Sequence, residues 1–211
     1  MTVVASSTDI WQALKEEVVG LHGTRKLMRD LYGANADTVD LLNRSAGVFF
    51  ASLERMMVRD LIIGIARLTD RAAQGDHANL SLGRLADLDW VVADPDCARA
   101  LTDKLAAVAT AARQFRVLRN KAVAHLDMPT RLNDELIPGV TIRELDRVLQ
   151  AIADAMNEAA RPLGSTTFYA DVIQFGGAET LIKRLQQAEK WREQERRRLA
   201  GALPEAGEES D

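Results

Sequence analysis

The chain has 211 residues, 47% of them apolar, with only five prolines and an excess of Ala, Leu, Arg, Glu, Asp and Gln; this is enough to bury one core, makes no strong case for two domains, and favours helix over sheet. A net charge of −4 and a pI of about 5.5 argue against non-specific wrapping of nucleic acid, and Cys97 as the single cysteine excludes an intramolecular disulfide and argues against a cysteine-based zinc site. Four of the negative charges, Glu205, Glu208, Glu209 and Asp211, sit at the very end; without them the remainder is near neutral and leaves room for local basic patches.

In chain order, residues 1–9 lack the basic and apolar regions of a secretory leader. Ser7-Thr8-Asp9 reads as a helix N-cap, and Ile10, Leu14, Val18 and Leu21 follow at helical spacing. That helix is expected to reach Leu31 and stop at Gly33. Asp37 is placed to cap a second helix, whose apolar pattern runs from Val39 through Phe49, Leu53, Met56, Met57 and Ile63 to Leu68; at 1.5 Å per residue it would be about 50 Å long. Gly47 and Gly64 mark possible bends or close helix contacts.

Residues 72–79 read as a loop, and Ser81 as the cap of a short helix over 82–88. Asp94-Pro95-Asp96 opens a long helix with proline at its first position. Its seam is Leu101, Leu105, Val108, Ala112, Phe115, Ala122 and Leu126, and Pro129 ends it. Thr141-Ile142-Arg143-Glu144 is a capping box, and the helix it opens runs to about Ala160. Residues 165–177 give no decisive pattern. Gly176-Gly177 precedes a last helix, from Ala178 to about Leu199, and the acidic end beyond residue 200 reads as a short disordered tail. The expected architecture is an all-α bundle of about five long helices, with residues 1–200 as one domain. No apolar run is long enough to cross a bilayer, so a cytoplasmic setting is expected.

Chemistry concentrates in Arg119-Asn120-Lys121-Ala122-Val123-Ala124-His125, late in the long amphipathic run. An arginine can grip a phosphate with its forked donors, and a histidine with a pKa near 6.5 can move a proton at neutral pH. The spacing alone is cheap: the chain has 21 arginines, and Arg71 and His77 repeat it just before and within the 72–79 loop. Context separates the two pairs. Arg119 and His125 stand about 120° apart on an ideal helix, with Phe115, Ala122 and Leu126 as an apolar stripe between them. Spacing by itself also fits a hydrogen-bonded histidine at a helix C-terminus.

Three blocks come in a fixed order: Phe49-Phe50-Ala51-Ser52-Leu53 with Leu61-Ile62-Ile63-Gly64-Ile65-Ala66-Arg67-Leu68-Thr69-Asp70, then Asn79-Leu80-Ser81-Leu82, then Leu118-Arg119-Asn120-Lys121-Ala122-Val123-Ala124-His125-Leu126-Asp127. Over roughly residues 37–160 this order resembles the HEPN superfamily of helical domains, in its abortive-infection (AbiU-like) branch. The resemblance implies a bundle that dimerises through the motif-bearing helices and, in many members, a metal-independent ribonuclease serving as a toxin or defence effector, with no cofactor. It makes Arg119 and His125 the catalytic pair and Asn120 their polar neighbour. Related toxins controlled by a nucleotidyltransferase antitoxin often carry a tyrosine two residues after the histidine; Asp127 stands there, which argues against control by tyrosine modification. An antitoxin or other regulatory protein remains an open partner.

The implied chemistry is attack of an RNA 2′-hydroxyl on its own phosphate, so RNA is the expected partner. His125 would be the base, Arg119 would stabilise charge on the phosphate, and a two-fold dimer would bring a second His125 as acid. Asn120, Lys121 and Arg116 are candidate substrate-binding residues, and Arg113 could line the same groove. Two readings from other classes stay open: a non-catalytic HEPN module that binds nucleotide or protein, and a structural helical dimer.

Other features have plainer readings. Arg67 and Asp70 are expected to form an ion pair or cap at a helix end, or else to support the site. Asp60 is expected to meet an arginine across the bundle, and Met56-Met57 to be core. In the last helix, basic residues from Lys183 to Arg198 interleave with Glu189, Glu193 and Glu195, which suits a solvated face. Trp11, Trp90 and Trp191 are too dispersed for a base-stacking platform.

Overall fold

The computed structural model describes residues 5–74, 77–123, 139–164 and 177–202. Its long helices are α1 (Ser7–Met28), α2 (Ala36–Leu68), α4 (Pro95–Ala111), α6 (Ile142–Ala160) and α7 (Ala178–Ala202), with shorter α3 (Asp89–Val92) and α5 (Arg113–Leu118) between them. Two π turns, Arg29–Gly33 and Arg119–Val123, extend α1 and α5. The all-α expectation of about five long helices holds, and no helix among the described residues is long and apolar enough to cross a membrane.

The described chain groups into two compact units. One contains residues 5–26 and the described part of 56–174; the other contains residues 27–55 and 177–202.

In the first unit, α6 presents Leu145, Val148, Leu149, Ile152, Met156 and Ala159 to the interior at i, i+3, i+4 and i+7 spacing. It packs along α4, which contributes Cys97, Leu101 and Val108. The capping box is present: Glu144 N–H donates to Thr141 Oγ1 at 3.2 Å, and Thr141 N–H donates to the Glu144 carboxylate at 2.8 Å. These bonds to the charged form hold the Glu144 carboxyl below its usual range. A lowered folded-state value means that this support is present at neutral pH and is lost as the pH falls through the carboxylate range. Asp94 caps α4 from its side chain, accepting from the backbone of Asp96 and Cys97 at 3.1 and 2.9 Å. Arg25 on α1 grips Asp146 on α6 in a two-bond fork of 2.7 and 3.1 Å. Trp11 and Trp90 meet edge to face at 6.3 Å, and the Trp90 indole N–H donates to the Ala159 carbonyl. Burial pushes the Cys97 thiol up, which keeps it a thiol at neutral pH.

Gly64 on α2 packs directly against Leu21 on α1. A Cβ placed on it would lie 2.5 Å from Leu21 Cδ2, and Leu21 is itself buried. Gly64→Val is therefore expected to destabilise the fold by about 1–3 kcal/mol through overpacking. Combining it with Leu21→Ala should cost less than the two changes summed, as read from urea denaturation of the four species of a double-mutant cycle. Simple additivity would reject the contact.

In the second unit, Leu31, Leu42, Phe50 and Ala178 form the core, with Leu27, Tyr32, Leu53, Ile182 and Leu185 packed against it. Tyr32 Oη donates to the Phe50 carbonyl at 2.7 Å, and Arg44 forks onto Glu189 of α7 at 2.7 and 3.3 Å. Within α2 the helical path is broken at Ala46 (φ −162°, ψ 63°), one residue before the expected bend at Gly47.

Several local expectations are corrected. Ser6, rather than residues 7–9, starts α1: its Oγ accepts from Asp9 N–H at 3.2 Å, and Asp9 accepts in return. Ser7 Oγ instead accepts from Asp89 N–H at 3.1 Å. Asn35, two residues before Asp37, caps α2 by accepting from Thr38 N–H. Ser81 precedes a 3₁₀ segment, Leu82–Asp87, but is fully buried, and its Oγ has no hydrogen-bond partner among the described residues. The 72–79 loop contains a small antiparallel pairing, β1 (Ala73–Gln74) with β2 (His77–Ala78). The long helix from Pro95 is interrupted at Ala112, which separates α4 from α5. Of the methionine pair only Met57 is core; Met56 is exposed. Residues 165–176 and 203–211, where the undecided segment and the acidic tail fall, lie outside the described residues.

Candidate functional site

Two buried side chains hold α5 in place. Phe115 and Leu118 face the interior, whereas Val117 faces out at 42% exposure. A six-residue helix is too short to persist alone, so this anchoring sets the position of the π turn that follows. Arg119, Asn120 and Lys121 all lie on that turn. A π turn widens the backbone relative to an α-helix and is a common departure at functional sites.

Arg119 is held by two oxygens. Its Nε donates to Asn120 Oδ1 at 3.0 Å, and its Nη1 donates to Asp70 Oδ2 at 2.5 Å. Asp70 lies just past the end of α2 and 49 residues away in sequence. Both side chains are mostly covered, with 22% of Arg119 and 31% of Asp70 accessible. A guanidinium carries five N–H donors, and two of them are committed to partners among the described residues.

Arg116, one turn before Arg119, serves the backbone. Its Nη1 donates to the Thr69 carbonyl at 3.3 Å and its Nη2 to the Ala109 carbonyl at 3.1 Å. The second bond satisfies a carbonyl in the last turn of α4, where the helix ends and intrahelical donors run out. Two arginines on one face of the α5 segment thus meet two consecutive residues, Thr69 and Asp70, at the end of α2.

The other candidates are placed as follows. Asn120 is exposed and buttresses Arg119; Lys121 is half-buried on the same turn. Arg113 lines a cleft of about 850 Å³ between α4–α5 and α6, together with Ala107, Ala111, Val117, Glu144 and Arg147. His125 lies outside the described residues, as do Leu126 and Asp127. The apolar stripe is visible only through Phe115, which is buried. Of the rival pair, Arg71 precedes the small hairpin and accepts through its carbonyl from Asn79 Nδ2, and His77 pairs with Gln74 in β1–β2.

Arg67 and Asp70, considered together from sequence, part company in space. Arg67 pairs with Glu17 on α1 at 3.5 Å, while Asp70 goes to Arg119. Asp60 accepts from Thr24 Oγ1 at 3.2 Å and has no arginine partner among the described residues; it is solvent-exposed on α2 opposite α1, where a hydroxyl is the nearby donor. On α7 two of the basic residues pair with neighbouring acids, Arg197 with Glu193 and Arg198 with Glu195, as on a solvated face.

The helices described above form an all-α bundle of the HEPN-like kind. The chain belongs to the AbiU2 family of HEPN domains (HEPN_AbiU2), whose model matches residues 8–181 and so takes in α1 as well as the 37–160 span. No match was found among curated proteins or among solved structures.

Proposed function

We propose that this protein is a metal-independent endoribonuclease of the abortive-infection type, a toxin or phage-defence effector working in the cytoplasm as a homodimer, with Arg119 and His125 as its catalytic pair. The observation that carries the reading is the state of Arg119: a partly accessible guanidinium, hydrogen-bonded to Asn120 and Asp70, in a chain of the AbiU2 family. His125 follows it in the Arg-polar-x4-His pattern.

In the proposed reaction, the 2′-oxygen of RNA forms a bond to the adjacent phosphorus as the bond from phosphorus to the 5′-oxygen breaks. His125 takes the 2′-hydroxyl proton as base. The partner's His125, in its protonated form, gives a proton to the departing 5′-oxygen. Arg119 stabilises the charge that builds on the non-bridging oxygens. The products are a 2′,3′-cyclic phosphate and a 5′-hydroxyl, and DNA, lacking the 2′-hydroxyl, is inert.

The test is degradation of a defined RNA in EDTA by the wild type and by His125→Ala. Cleavage by the wild type with cyclic-phosphate ends, reduced at least about 100-fold in the variant as expected for loss of a general base, supports the reading. Equal rates in both, or no cleavage by the wild type, would sink it.

A further inference from the structure

We infer that Asp70 is the positioning residue for Arg119: its carboxylate sets the direction in which the guanidinium meets a phosphate. The inference rests on the ribonuclease reading above, and goes beyond it by adding a residue outside the Arg-x5-His segment.

The geometry supports orientation more strongly than mere attachment. Asn120 is the next residue on the same π turn and can restrain Arg119 only locally. Asp70 comes from the end of α2, 49 residues away, and takes a different nitrogen of the same guanidinium. Two oxygens on two separate elements, bonded to Nε and Nη1, define the plane of the group, which neither could do alone. The end of α2 does not depend on Asp70 for its attachment to α5, because Arg116 Nη1 already donates to the Thr69 carbonyl. Asp70 therefore has a contact whose loss would free the arginine without releasing the helix. A carboxylate beside the arginine also weakens its pull on any anion, so the arrangement favours direction of binding over strength.

The experiment compares wild type, Asp70→Ala and Asp70→Glu. It reads cleavage of a defined RNA in EDTA, thermal stability, and the Arg119 Nε–Hε signal in ¹⁵N NMR, assigned by its absence from Arg119→Lys. The expected result is a kcat lower by about 100-fold in Asp70→Ala, the scale of a reacting group misplaced by about 1 Å. KM should change less than about threefold, as uniform binding is little affected. The Arg119 Nε–Hε signal should broaden or vanish, and Asp70→Glu should recover a large part of both. A folded Asp70→Ala with unchanged kcat overturns the inference, and so does a gain in activity, which would make Asp70 a plug. A loss of kcat that merely follows loss of thermal stability, without rescue by Asp70→Glu, also overturns it in favour of a structural tie. If the wild type cuts no RNA, the ribonuclease reading fails by itself. The NMR signal then decides for Asp70: unchanged in Asp70→Ala, it rejects positioning; lost there and regained in Asp70→Glu, it sustains it.

Discussion

Arg119→Ala is expected to lower single-turnover RNA cleavage by about 10²–10³-fold, the scale seen when one preorganised donor to a developing oxyanion is removed. The fold should survive. The Arg119–Asp70 pair is partly solvated, with 22% and 31% of the two side chains accessible. A pair so placed contributes little once screening is counted, and Arg116 still ties α5 to Thr69. Arg119→Lys is the sharper companion. Lysine keeps the positive charge but has one nitrogen, which cannot meet Asn120 on one side and Asp70 on another as a rigid fork does. Its expected signature is RNA binding near wild type, by fluorescence anisotropy with an uncleavable 2′-O-methyl strand, and a cleavage rate close to that of Arg119→Ala. If Arg119→Ala cuts RNA within about threefold of wild type, the arginine has no catalytic part to play and transition-state stabilisation must be sought elsewhere.

Phe115→Ala is expected to carry the largest cost in stability, about 3–5 kcal/mol, the range for deleting a buried phenyl ring. Phe115 is 1% exposed and sits in the middle of the six-residue α5. Val117, on the same helix, is the internal control: at 42% exposure its change to alanine should fall within about 0.5 kcal/mol of wild type. Urea denaturation followed by circular dichroism compares the two. Comparable midpoints for Phe115→Ala and Val117→Ala would show that α5 is not anchored through Phe115. The two largest predictions are linked through the chain itself. The ring that holds α5 also holds the turn bearing Arg119, so Phe115→Ala should reduce cleavage even at temperatures where the protein stays folded.

The elements whose causes are local are legible in the sequence. Thr141 and Glu144 lie three residues apart and their reciprocal bonds need nothing else, so the start of α6 could be placed to the residue. Asp94-Pro95 did the same for α4. The α6 stripe of Leu145, Val148, Leu149, Ile152 and Met156 follows from the 3.6-residue period alone. At Gly64 the residue type left a bend and a close helix contact open, and the structure shows the contact, with Leu21. Caps failed where neighbouring polar residues compete. Ser6, Ser7, Thr8 and Asp9 are all chemically able to start a helix, and Asn35 and Asp37 likewise; which one does so depends on how the chain enters the turn.

The candidate site divides along the same line. Arg119, Asn120 and His125 stand out from sequence because they fall within seven residues and their residue types match a chemistry. The break at Ala112 and the π turn from Arg119 to Val123 were not visible there, because an amphipathic pattern continues through both. Trp11 and Trp90, apparently dispersed, meet edge to face because α1 and α3 pack together. The Asp70–Arg119 pair belongs to the same class. An ion pair across 49 residues leaves no period and no spacing in a single sequence, and Asp70 looked as well suited to closing a helix end as to meeting an arginine. Local hydrogen bonding and helical periodicity thus place the long helices, and residue type singles out the side chains proposed to carry chemistry. Only the packing of α2's end against α5 decides which carboxylate aims the arginine, because that choice is made by two side chains whose encounter exists only once the bundle has formed.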